Sequence, residues 1–317
     1  MVGSRVCPSV ALGWARPCLG RGGLGLARAA LSLSRGQRLL LCFRLSALWV
    51  GLSLSLAGCS AAGERLVGWY VTRTLDGYFD FSSAQKRAAR VQVDQTLELM
   101  RQTELPHWVS YLREVRQGIH DGLTEEDIAR LQRHYDARLD QSVALLAPRL
   151  ALMLAQLDAA QLDHFAARMR EDVDEQYEEL KLAPDERRAA VEKRALDAVE
   201  KGVGDLSEAQ EQGIRSLLRA LPNERPVQYR SARDNIARFR AFMAQRPDVP
   251  TIEAQLHTMW EHRYDALGPG RDKTARRSEQ RRWLLAVYRM LTPEQREHAE
   301  EGLTERIQML KRFLVTG

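Results

Sequence analysis

The chain has little cysteine, and almost none of it lies in the main part of the sequence. Of four cysteines among 317 residues, Cys7, Cys18 and Cys42 precede residue 58, and only Cys59 follows it. One cysteine excludes an intrachain disulfide and a zinc site built of cysteines in that part. With 21 glycines, 11 prolines, 44% hydrophobic and 28% charged residues, the composition also excludes collagen-like and disordered classes.

Lysine and acidic residues are absent from the first 58 positions, which contain seven arginines: Arg5, Arg16, Arg21, Arg28, Arg35, Arg38 and Arg44. The remaining residues carry 40 basic and 42 acidic side chains, so the net charge of +5 originates in this first segment. A basic surface for nucleic acid is therefore not indicated, and we expect no nucleic-acid partner.

An uncharged, mostly apolar stretch runs from Leu45 to Gly58, directly after Arg44. A basic flank, an apolar segment and then small residues are typical of a secretory signal peptide. At 14 residues, the stretch is shorter than the roughly 20 that a transmembrane helix needs. We therefore expect residues 1–58 to be removed on export. A mis-assigned start codon would account for much of residues 1–30.

The signal ends in Leu56-Ala57-Gly58-Cys59, which resembles the lipobox of bacterial lipoproteins. The resemblance implies that the Cys59 sulfur carries diacylglycerol, that cleavage occurs before it, and that the new amino terminus is acylated. Ser60, rather than aspartate, at the next position implies sorting to the periplasmic face of the outer membrane. Three acyl chains would make this anchoring nearly irreversible. Apart from this covalent lipid, no cofactor is expected.

Two other interpretations of the leader stay open. In one, the leader is an ordinary signal peptide or signal anchor, and Cys59 is incidental. In the other, the arginine-rich, acid-free residues 1–44 are a mitochondrial transit peptide.

Helical periodicity dominates the rest of the chain, and strand signals are nearly absent. Apolar residues recur at intervals of three and four: Ile128, Leu131, Tyr135, Leu139 and Val143. We predict an all-α helical bundle of roughly eight to ten helices after a lipidated tether at 59–75. Tryptophans more often fill a core than line a groove, and we expect this of Trp69, Trp108, Trp260 and Trp283.

Four helix starts carry the capping-box pattern, in which a cap side chain and a glutamine three residues later satisfy each other's N–H groups. They are Ser82 with Gln85, Asp158 with Gln161, Ser207 with Gln210, and Thr292 with Gln295. The first and third boxes are 125 residues apart, and the second and fourth are 134 apart. This order indicates a tandem duplication into helical units at 76–203 and 204–317.

Charges cluster in an acidic run at 171–179 and a basic run at 271–289. Solvated helix faces are the simplest interpretation. Contact between the halves, or contact of the basic run with anionic lipid head groups, are the alternatives.

Catalytic motifs are lacking: the sequence contains no GxSxG, P-loop, GxGxxG after a strand or HExxH pattern. We therefore expect no enzymatic activity. His164 and His298 each lie beside a carboxylate and are weak candidates for a metal site. A surface or capping role is the more common one for such histidines.

Three motifs resemble those of two known families. The stretch LDGYFDFSSAQ at 75–85 and the Thr103-Glu104-Leu105-Pro106 turn resemble uncharacterised proteobacterial envelope lipoproteins that are entirely helical. More distantly, Leu291-Thr292-Pro293-Glu294-Gln295 is similar to the LTxxQ motif of the Spy/CpxP periplasmic proteins, which are stress-linked chaperones and sensors. The lipobox, the duplicated helical body and the lack of catalytic motifs together favour an outer-membrane lipoprotein whose periplasmic helical body binds envelope proteins, in a chaperone-like or assembly-associated role. A metal- or small-ligand-sensing lipoprotein is the alternative.

Overall fold

The computed structural model describes residues 60–263 and 273–315, and within these ranges it contains helices and links but no strand. The all-α prediction is confirmed, with eleven α-helices where eight to ten were expected. They are α1 (Ser60–Phe79), α2 (Ser83–Thr103), α3 (Leu105–Asp121), α4 (Glu125–Leu154), α5 (Ala159–Gln176), α6 (Pro184–Val203), α7 (Glu208–Arg219), α8 (Arg225–Ala244), α9 (Val249–Glu261), α10 (Lys273–Met290) and α11 (Pro293–Val315), with a short 3-10 helix at Glu178–Lys181. None of the described helices is long and apolar enough to cross a membrane.

The four predicted capping boxes all form, at the starts of α2, α5, α7 and α11. In each, the cap side chain accepts from the backbone N–H three residues on, and the glutamine accepts from the cap N–H. Three of the apolar residues that precede the caps are buried: Phe81, Leu157 and Leu291. The local sequence therefore fixes both where these helices begin and how the chain enters them.

The segment predicted as a tether, 59–75, is helical from Ser60 onward and forms most of α1. This helix packs against α2 and α5. At its end, the Phe79 ring stacks on Phe165 of α5 with a centroid distance of 5.2 Å. Because Val67 and Phe79 are buried, α1 belongs to the folded body.

Two main hydrophobic cores hold the helices together. Burial of one Leu, Ile, Val or Phe side chain contributes roughly 1.5–3 kcal/mol, so these cores supply most of the driving force for folding. The first core includes Phe79, Phe165, Met169, Val173, Tyr177, Ile236, Phe239, Ile252 and Leu256. The second includes Ile119, Leu196, Val199, Val203, Ile214, Trp283, Val287, Tyr288 and Leu303.

Helix packing agrees with the predicted duplication. Each helix of the first repeat has a counterpart in the second. Helix α1 corresponds to α6, α2 to α7, α3 to α8, α4 to α9 and α10 together, and α5 to α11. Helix α1 packs on α2 and α5, as α6 packs on α7 and α11. The third helix of each series crosses over, so that α3 packs on α11 and α8 packs on α5. Each core is therefore completed by helices of the other repeat.

The position of α6 bears on where one repeat ends. This helix lies within the predicted unit 76–203, yet its Leu196, Val199 and Val203 are buried in the second core. By packing, the second repeat starts with α6 and the first with α1. The capping boxes mark the second helix of each repeat, which is why they place the boundary one helix later.

Two of the four tryptophans expected in the core, Trp260 and Trp283, are buried, and Trp108 is half-buried. The prediction is wrong for Trp69, whose side chain is 52% exposed. On α1 it is the preceding residue, Gly68, that faces α2, and this turns Trp69 away from the helix pair.

Candidate functional site

The residues of the predicted lipid-attachment motif, Leu56, Ala57, Gly58 and Cys59, lie outside the described residues. Ser60, the predicted sorting residue, is the first residue of α1. The described part of α1 therefore begins at the residue that directly follows Cys59.

Two capping boxes of the first repeat are joined through their glutamines. The Gln85 amide donates to Gln161 Oε1 at 3.1 Å, and the Gln161 amide donates to Gln85 Oε1 at 2.8 Å. Each amide also donates to a backbone carbonyl, Gln85 to that of Gln156 at 3.0 Å and Gln161 to that of Asp80 at 2.9 Å. These bonds fasten the start of α2 to the start of α5.

The second repeat contains the same network. The Gln210 amide donates to Gln295 Oε1 at 2.7 Å, and the Gln295 amide donates back to Gln210 Oε1 at 3.1 Å. Their carbonyl partners are Met290 and Asp205, each at 2.7 Å. The recurrence of the whole network supports the tandem duplication, and it gives these glutamines a structural role.

The two candidate metal histidines lie against different helix ends. His164 Nε2 is 3.2 Å from the Gly77 carbonyl oxygen, at the end of α1. A Cβ built on Gly204, just after α6, would lie 3.9 Å from the His298 ring. Among the described residues no group of three or more His, Cys, Asp or Glu side chains could hold a metal ion. These positions favour the surface or capping role for both histidines.

The acidic run contacts α8 through Asp174, which lies near the middle of the run. Asp174 Oδ1 accepts from Arg233 Nη1 at 2.6 Å and from the Tyr229 hydroxyl at 2.9 Å. Partial burial acts to raise the pKa of Asp174, but these two hydrogen bonds outweigh it and lower the pKa. Because α8 belongs to the second repeat, the run serves as a contact between the repeats.

Glu179 provides a second such contact. Its buried carboxylate accepts from Arg225 Nε at 2.6 Å and lies 3.1 Å from Arg194 Nη2. The Arg225 guanidinium also stacks on the Tyr177 ring, 4.1 Å from the centroid. Burial raises the pKa of Tyr177 to about 12, so this hydroxyl stays neutral at physiological pH.

The basic run is likewise engaged within the protein. Arg276 lies 3.1 Å from Glu224, and Arg277 forms an ion pair with Asp136 of α4. Tyr135, next to Asp136, packs on the Trp108 ring at 5.8 Å. Tyr135 and Asp136 therefore both make contacts within the folded body.

An open cleft lies between α3 and α11, and half of its lining residues are glutamates. Its lining residues are Arg116, Gln117, His120, Glu297, Glu300, Glu301, Thr304 and Glu305. Arg116 donates to the Thr304 hydroxyl at 3.1 Å, and His120 Nδ1 is 3.3 Å from Glu300. Four carboxylates thus face one arginine and one histidine, and the cleft is acidic.

Three of these glutamates form an exposed line on α11. Glu297, Glu301 and Glu305 are spaced four residues apart and are all exposed. Like charges at this spacing destabilise a helix by roughly 0.2–0.5 kcal/mol per pair. These exposed carboxylates give this face of α11 negative charge, which suits a cationic partner.

A family model of unknown function, DUF6279, matches residues 77–269, which is more than half of the chain. The chain belongs to this family. No curated protein and no solved structure matches the chain. Neither the family match nor these comparisons support the similarity to Spy/CpxP proteins, which stays a prediction.

The DUF6279 match includes both glutamines of the first network, Gln85 and Gln161, and Gln210 of the second. It ends before α10 and α11, so Gln295 and the α11 side of the cleft lie beyond it. The glutamine-linked caps of the first repeat are therefore features of the DUF6279 region, whereas the complete cleft extends past it.

The sequence reasoning missed the acidic cleft. The signal was present as three glutamates at intervals of four, Glu297, Glu301 and Glu305. Their significance depends on Arg116 and His120 of α3, which lie far away in the sequence, and no periodicity connects those two segments.

Proposed function

We propose that this DUF6279 chain is a lipid-anchored protein of the bacterial outer membrane whose periplasmic body binds other proteins in a chaperone-like manner. The observation that carries the protein-binding part is the acidic cleft between α3 and α11. The observation that carries the anchor is the lipobox-like Leu56-Ala57-Gly58-Cys59 sequence.

The start of α1 supports the anchor. Helix α1 includes Ser60, so a lipid on Cys59 would be attached next to a residue of this helix. Val67 and Phe79 fix the helix to the core. Such a lipoprotein would hold its body close to the membrane and in a restricted range of orientations.

The cleft supports protein binding. Its exposed glutamates would attract basic segments of an unfolded or partly folded protein, and charge complementarity speeds such encounters. Exposed charges act over only about 8–10 Å at physiological ionic strength, so binding of this kind would be local and reversible. Reversible binding is what a chaperone-like role requires.

Binding, rather than catalysis, is the role that the polar side chains favour. Gln85, Gln161, Gln210 and Gln295 join helix starts, and Glu179 joins the repeats through Arg225. These groups hold the body together, which leaves its outer surfaces for partners. We therefore propose a non-enzymatic protein.

An aggregation assay tests the protein-binding part. The processed full chain is mixed with reduced lysozyme, a cationic client, or with reduced α-lactalbumin, an anionic one, and light scattering is followed. We expect suppression of lysozyme aggregation and a weaker effect on α-lactalbumin. Substituting Glu301→Gln with Glu305→Gln should reduce the suppression several-fold.

The matched control replaces two exposed glutamates on another surface, Glu175→Gln with Glu178→Gln. This pair should leave suppression unchanged. If the chain suppresses neither client, or if both pairs of substitutions act equally, the cleft is not the binding site.

A further inference from the structure

The hairpin of α1 and α2 carries an exposed apolar face. Three large hydrophobic side chains with high exposure lie on these two helices: Trp69 at 52%, Tyr70 at 37% and Val91 at 54%. The Arg73 guanidinium lies over the Trp69 ring, 5.5 Å from its centroid. Single exposed hydrophobic residues are ordinary, but a group of them marks an interaction site.

The packing of the hairpin places Trp69 and Val91 on the same side. Gly68 faces α2, since a Cβ built there would lie 3.1 Å from an Arg90 nitrogen and closer still to Asp94. In an antiparallel helix pair, the residue after each contact residue is rotated by about 100° toward the same side of the pair. Trp69 follows Gly68 and Val91 follows Arg90, so both project from one face.

Two arginines extend this face. Arg73 lies one turn after Trp69, and Arg87 lies one turn before Val91, and both side chains are exposed. Arg90 and Asp94 instead pair with each other at 2.9 Å along the contact between the helices. The face therefore combines aromatic and aliphatic side chains with positive charge.

We infer that this face rests on the phospholipid surface of the membrane to which Cys59 is anchored. The inference rests on the proposed lipid anchor. Ser60 begins α1, so Trp69 lies nine residues further along one helix, a distance of about 14 Å. With α1 lying along the bilayer surface, the Trp69 ring reaches the interface, where such rings are enriched.

The arginines favour lipid over a second copy of the chain. Arg73 and Arg87 can extend their charged ends to anionic lipid phosphates while their aliphatic stems lie along apolar surface. A symmetric dimer through this face would instead bring the same arginines of two copies together, because both copies present the same patch. Like-charge contact of that kind opposes association.

Lipid-dependent quenching of tryptophan fluorescence tests the inference. The processed, lipidated chain is reconstituted into vesicles of phosphatidylethanolamine and brominated phosphatidylglycerol, and its fluorescence is compared with that in unbrominated vesicles. We expect brominated lipid to quench the wild-type emission. The variant Trp69→Phe should lose most of this quenching, whereas Trp108→Phe, which changes a half-buried tryptophan in the body, should keep it.

Charge substitutions sharpen the test. Arg73→Gln with Arg87→Gln should reduce the quenching of Trp69 by moving it from the interface. The control pair Arg113→Gln with Arg133→Gln, which changes exposed arginines on α3 and α4, should not.

The possible outcomes separate the inference from the anchor. If the chain sediments with the vesicles and Trp69→Phe retains the full quenching, the face does not touch lipid, although the anchor stands. A concentration-dependent dimer that protects Trp69 from quenching would overturn the inference in favour of a second copy. If the chain does not sediment with vesicles at all, the anchor fails and the inference fails with it.

Discussion

The two repeats share one framework and fill it differently. At corresponding positions of α5 and α11, the first core contains Phe165 and the second contains Ala299. Phe165 lies between Phe79 and Phe239, at centroid distances of 5.2 and 5.8 Å. The capping boxes and the order of the helices are therefore the same in both repeats. The size of the core side chains at corresponding positions differs between them.

The glutamine networks differ in burial in the same way. Gln210 and Gln295 are both buried, whereas in the first repeat Gln161 is buried and Gln85 is only half-buried. When one partner of a buried hydrogen bond is removed, the loss of folding free energy is larger than for an exposed one, because water cannot replace the missing partner. The same device should therefore stabilise the second repeat more than the first.

The largest expected effect comes from emptying the first core. Phe165→Ala should lower the free energy of unfolding by about 3–5 kcal/mol, because it removes a large ring from a closely packed site. Urea unfolding followed by circular dichroism measures the change. Leu152→Ala, at a residue that is 44% exposed, is the control and should cost under about 0.5 kcal/mol.

This variant also tests the crossover of helices. Phe165 contacts Phe239 of α8, which belongs to the second repeat. Both repeats should therefore lose stability together in one transition. Two separate transitions, with only the first one shifted, would contradict shared cores.

Removing one glutamine from each network gives an intermediate effect. Gln210→Ala should cost about 2–3 kcal/mol, since it removes the buried hydrogen bonds that Gln210 makes with Gln295 and with the Met290 carbonyl. Gln85→Ala should cost about 1 kcal/mol, because water can replace part of its bonding. Urea unfolding of both variants provides the comparison, and equal costs would argue against burial as the deciding difference.

The smallest expected effect is on pH dependence. The hydrogen bond from Arg219 lowers the pKa of Glu192 below its ordinary value of 4.5, against the opposing effect of burial. Its stabilising contribution is therefore present above pH 4.5 and is lost as the pH falls through the lowered folded-state pKa. Between pH 6 and pH 3, the midpoint temperature of thermal unfolding should fall less steeply for Glu192→Gln than for the wild type. If the midpoint temperatures of the two proteins fall in parallel with pH, the Glu192 carboxylate does not contribute to stability.

Local signals allowed much of the fold to be predicted. The capping boxes require residues only three positions apart, so Ser82 with Gln85 and Thr292 with Gln295 could be recognised directly. The duplication followed from their spacing. The bonds between the boxes could not be predicted, because the glutamines that meet are 76 and 85 residues apart.

Surfaces were less predictable than helices. Trp69 was expected in the core, but its orientation depends on α2 packing against Gly68, and periodicity alone does not show which face of a helix is covered. The acidic cleft was missed for a similar reason, since it forms only where α3 meets α11.

Mass spectrometry of the protein purified from its native cells tests the central claim most directly. If the chain is a lipoprotein, its amino-terminal peptide begins at Cys59 and carries the mass of a diacylglycerol group and an amide-linked acyl chain. A chain that retains residues 1–58, or one that begins at Cys59 without added acyl mass, would contradict the proposed anchor.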